Sequence, residues 1–122
     1  MRGLLLSGIA VLLLAAPALA ADDVMAGFYG NTVVSTSQLG ESHSHYNADH
    51  TFDVTLTGTM GTFTGKGTWE VKDGQLCRTY DQPPPGLPNP FCIAAEAHKP
   101  GDSWTVSYGG RSVPVTMKAG IQ

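Results

Sequence analysis

Within ten residues, Glu41-Ser-His-Ser-His-Tyr-Asn-Ala-Asp-His50 gathers three imidazoles and two carboxylates. His43 and His45 are two apart, so they project from one face of an extended strand. Asp49 and His50 follow across a short Asn47-Ala48 turn. Imidazole plus carboxylate suits zinc, copper or nickel. His43, His45, His50 and Asp49 are therefore the candidate metal ligands, with zinc or copper as the cofactor. The interleaved Ser42, Ser44 and Asn47 support the opposite expectation, a solvated polar face that needs no cofactor. Cys77 and Cys92 bracket a second notable segment. With no Cys-x-x-Cys and no adjacent base, they read as a structural disulfide closing a loop of about fifteen residues, a stabilisation of about 3 kcal/mol. Trp69, Arg78 and Trp104 form the candidate core or ligand cavity, with Arg78 placed to cap either indole by a cation–π contact. For hydrolysis the chain offers no nucleophile elbow and no base–nucleophile pair. Asp22 and Asp23 are adjacent at an expected frayed terminus, and no phosphate-cradling glycine loop occurs. The residues point away from an enzyme.

Strands must position these groups. After Ala21 the chain shows almost no helical periodicity, and Thr, Val and aromatic residues dominate between frequent glycines. Phe52, Val54 and Leu56 alternate with polar neighbours in strict period two. Phe63, Gly65, Gly67, Trp69 and Val71 share the apolar face of a longer strand, where the glycines would permit the bend of a small barrel. Asp73-Gly74 and Gly109-Gly110 suit tight hairpin turns. The pattern predicts about eight strands, near 28–36, 42–46, 50–57, 61–71, 75–80, 91–97, 102–108 and 112–118. Short connections favour an antiparallel meander, closed or nearly closed into a lipocalin-like barrel, over a sandwich. Parity places both cysteines opposite the core face and both tryptophans on it, largely buried. Gln82–Pro90 holds five prolines in nine residues and reads as a stiff connector, or as a ligand for a partner's aromatic groove.

Residues 1–20 carry an early Arg2, an apolar run from Leu4 to Ala16 and an Ala18-Leu19-Ala20 ending, the pattern of a secretory signal peptide. Cleavage near Ala20 would leave one domain, 21–122, exported to the periplasm or secreted, where a disulfide is at home. Without Arg2, six Lys and Arg face ten Asp and Glu, a net charge near −4. Scattered cations on an acidic chain are a poor match for nucleic acid or an anionic membrane. No second apolar run is long enough to span a bilayer. No Cys follows the signal, which argues against a lipid anchor.

Gly67-Thr68-Trp69 resembles the Gly-x-Trp signature of lipocalins and related calycin barrels, in which an Arg packs over the Trp; here the motif lies mid-chain instead of near the first strand. The run from Gly67 to Cys77, the proline loop to Cys92 and His98–Val106 together resemble small exported proteins of α-proteobacteria. This second resemblance spans roughly residues 46–118. It implies export, a β-fold and a disulfide, and brings no activity with it.

The resulting expectation is a monomeric, exported, non-enzymatic binding protein of unidentified ligand. The alternatives are a metal-binding protein using His43-x-His45 and a protein-binding module such as a protease inhibitor. The partner would be a small molecule or a protein.

Overall fold

The computed structural model describes residues 21–122; the expected signal peptide, 1–20, lies outside the described residues. A short 3-10 helix, Ala21–Phe28, precedes eight strands: β1 Thr32–Ser37, β2 Gly40–Tyr46, β3 Thr51–Gly58, β4 Gly61–Lys72, β5 Gln75–Tyr80, β6 Phe91–Ala94, β7 Ser103–Tyr108 and β8 Arg111–Lys118. All lie in one antiparallel sheet of order β6-β5-β4-β3-β2-β1-β8-β7. Sequence neighbours pair throughout except at β6–β7, where no ladder forms, and the pairing of β1 with β8 curls the meander round. The result is a nearly closed barrel with a single seam.

Period two decides which side chains face inward. Phe52 and Val54 of β3, Trp69 of β4, Leu76 and Tyr80 of β5, and Val113, Val115 and Met117 of β8 are all buried. Gly67 sits opposite Tyr80 in the register. A Cβ there would lie 1.9 Å from the Thr79 carbonyl oxygen, so only glycine permits this approach of β4 to β5. Cys77 and Cys92 face each other directly across β5 and β6, with Cα atoms 4.0 Å apart, and are bonded. Their parity is opposite to Leu76 and Tyr80, so the staple lies outside the wall, as the sequence pattern predicts.

Three expectations need correction. The terminus at Asp22-Asp23 was expected to fray, and the first strand to begin near 28. Instead the 3-10 helix lays Met25 and Phe28 into the core, where both are almost fully buried. Met25 and Phe28 are three apart, the spacing that superposes side chains on a 3-10 helix. Strand β6 also stops at Ala94 instead of 97, because Ala94 lies opposite Gln75, the first residue of its partner β5; the Ala95 amide makes one last bond, to the Gly74 carbonyl of the turn at 2.9 Å. Trp69 is buried as expected, yet Trp104 is only half-buried, stacked at 3.5 Å on His98 at the start of β7.

Candidate functional site

The turns at 38–39, 59–60 and 109–110 and the 81–90 loop all cluster at one end of the barrel, since strands alternate in direction. The 3-10 helix closes the other end. Between them lies a cavity of about 850 Å³, with Met25, Phe28 and Tyr46 toward the closed end and Leu39, Met60 and Tyr108 at the mouth. Its wall is mainly apolar: Val33, Val54, Leu56, Phe63, Leu76, Phe91, Ile93, Val106, Val113 and Val115 all contribute. Three of the four large apolar side chains exposed in the described residues, Leu39, Met60 and Tyr108, stand on this rim. The proline loop connects β5 to β6 as expected, and Pro84, Pro85, Gly86 and Leu87 also line the same mouth. Asn89 fixes the loop by pairing with both backbone groups of Tyr80: it accepts from the amide at 2.8 Å and donates to the carbonyl at 3.1 Å.

Arg78 is the one cation deep inside this wall. Its guanidinium carbon lies 5.3 Å from the Phe52 ring centre, 5.4 Å from Tyr80 and 5.5 Å from Phe91. These rings replace the expected Trp69 or Trp104 as its cation–π partners. Arg78 donates long hydrogen bonds to the Ser44 hydroxyl (3.4 Å) and the Tyr46 hydroxyl (3.3 Å), while its buried Nε has no partner. Burial works against its charge, but the Tyr46 and Tyr80 hydroxyls beside it prevail and hold its pKa above the ordinary value. A guanidinium stays protonated in proteins at ordinary pH, so Arg78 carries its charge into the cavity. Burial pushes the Tyr80 hydroxyl up, against the opposing pull of Arg78, so Tyr80 stays neutral at ordinary pH.

Trp104 lines the same cavity as Arg78, toward its closed end, whereas Trp69 is not among the lining residues. Trp69 donates its indole N–H to the Asn47 carbonyl at 3.0 Å and carries the His50 ring stacked 4.1 Å away. Trp104 borders the cavity and is covered by His98, which also meets Glu96 at 3.3 Å and Asp102 at 3.5 Å.

The histidine hairpin has outward parity, and its side chains are turned to separate partners. His43 Nε2 meets Glu41 at 2.6 Å. His45 lies between Asp53, 2.7 Å from Nδ1, and the Thr32 hydroxyl, 3.1 Å from Nε2. Asp49 accepts from the Thr51 amide and hydroxyl, and His50 is committed to Trp69. Among the described residues no three His, Cys, Asp or Glu side chains are grouped to hold a metal ion. The expected set of His43, His45, His50 and Asp49 is thus not assembled. The polar groups that do converge, Ser44 and Tyr46 with Arg78, sit on the opposite face of the same strand. Alternation with His43 and His45 was the signal that could have found them.

Comparison with protein-family models, with curated proteins and with solved structures returned no match for this chain.

Proposed function

We propose that this chain is an exported, non-enzymatic binding protein that holds one small, largely apolar molecule inside its barrel. The cavity carries the reading: about 850 Å³ of mainly apolar space, with Leu39, Met60 and Tyr108 among its lining residues. Ligand sites of small-molecule binders run from about 300 to 1,000 Å³ and are lined in this way. Eight strands are enough to hold one small ligand. The apolar rim supports the same reading, since an apolar molecule leaving water would first meet Leu39 and Met60, 64% and 95% exposed. The Cys77–Cys92 bond supports export, because such bonds persist in oxidising compartments.

The test is titration with N-phenylnaphthylamine, a neutral apolar dye that brightens when it leaves water. Saturable enhancement by the folded protein is expected. Val106→Trp, which would fill the cavity from β7, should abolish the enhancement while cooperative melting persists. No enhancement by the wild type, or equal enhancement by the filled variant, would overturn the proposal.

A further inference from the structure

The inner end of the cavity is rich in proton donors and poor in acceptors. Arg78 Nε is buried and unpartnered. Ser44 and Tyr46 each accept from Arg78, and neither hydroxyl proton is donated to an acceptor among the described residues. No carboxylate among those residues lies within ion-pair reach of Arg78; Glu96 borders the cavity but turns to His98. A buried charge without a counter-charge is costly, and the usual remedy is an opposite charge with hydrogen bonds to both.

Resting on the reading of the cavity as a binding site, we propose that its ligand is a single-chain amphiphile with a carboxylate head, seated head-inward on Arg78, Ser44 and Tyr46. Two oxygens of a carboxylate match the fork of a guanidinium. The one cation selects the charge of the head. A carboxylate brings one negative charge, whereas a phosphate monoester brings about −1.5 to −2 and would leave an uncompensated anion among Phe52, Phe91 and Tyr80. The tail is set by length. From Tyr46 to Gly40 the wall runs six residues, about 20 Å at the usual rise of about 3.4 Å per residue, and somewhat less in height because barrel strands tilt. An extended alkyl chain would lie along Val33, Val54 and Val106 toward Leu39 and Met60 at the mouth.

Three ligands of equal chain length separate this proposal from the cavity reading beneath it: laurate, dodecanol and dodecyl phosphate, titrated by displacement of N-phenylnaphthylamine. The wild type should bind laurate at least tenfold more tightly than either of the others. Arg78→Met should remove that preference and leave dodecanol binding undiminished. Tyr46→Phe keeps the cation and loses one donor, so it should weaken laurate alone; it also serves if Arg78→Met fails to fold. Equal binding of laurate and dodecanol by the wild type would overturn the head-inward carboxylate and leave the cavity reading standing. Tighter binding of dodecyl phosphate than laurate would overturn the single-charge argument. Failure of all three ligands to bind would overturn both readings.

Discussion

At the scale of single residues, the two tryptophans share apolar parity and differ in consequence. Trp69 is 2% exposed, donates to Asn47 and is covered by His50 and Tyr29. Trp69→Ala should therefore cost about 3–5 kcal/mol in urea unfolding, the usual range for removing a buried indole. Trp104→Ala should cost clearly less, since Trp104 is only half-buried. Acrylamide should accordingly quench Trp104 more than Trp69. Asp49 carries a pH prediction. The Thr51 hydroxyl, followed by the Thr51 amide, holds its carboxyl below the ordinary 3.8. A carboxyl whose pKa is lowered by folding stabilises fully above 3.8, and the contribution fades as pH falls through the lowered value. Asp49→Ala should thus lower the melting temperature at neutral pH, and the gap to wild type should close in acid below about pH 3.8. A gap that is constant from neutral to strongly acid pH would show that the carboxylate does not contribute through its charge.

At the scale of elements, the external staple and the internal plug do different work. The Cys77–Cys92 bond closes a loop of 15 residues, worth about 3 kcal/mol in the chain-entropy account. Reduction, or replacement of both cysteines by serine, should lower the denaturant midpoint without changing ligand binding, since the bond lies outside the wall. The helix has the opposite profile. Met25→Ala should cost about 2–5 kcal/mol and also loosen the closed end of the cavity, so dye binding should change with it. The staple and the strands were legible in the sequence because period two survives wherever one face packs inward. Six of the eight strands fall close to their expected places for this reason; the first is shortened by the helix and β6 stops three residues early. The helix itself was obscured because eight residues give one spacing, Met25 to Phe28, too little for a periodic signal. The inward-facing polar groups were obscured by an inversion of habit. On β2 the serines face inward and the histidines outward, so the residues with the more conspicuous chemistry lie on the face away from the cavity. Arg78 was legible as an inward residue from Leu76 and Tyr80, but its ring partners lie on β3, β5 and β6, a convergence that no local pattern encodes.

At the scale of the whole molecule, the barrel is a ring with one joint. Seven of its eight strand junctions are hydrogen-bonded ladders. Between β6 and β7 the contact includes the Phe91 and Tyr108 rings, edge to face with centres 5.0 Å apart. Such an aromatic pair contributes about 0.5–1.5 kcal/mol beyond its area burial, far less than a ladder of backbone bonds. A barrel hydrogen-bonded all the way round has a fixed girth, because widening it breaks several bonds at once. This one can widen by parting its joint. Girth becomes the adjustable dimension, so ligands of different thickness should be accepted more evenly than ligands of different length. Hydrogen exchange would register the same asymmetry: amides along β6 and β7 should exchange ahead of those in the β2–β3 ladder, and bulkier occupants should accelerate only the former.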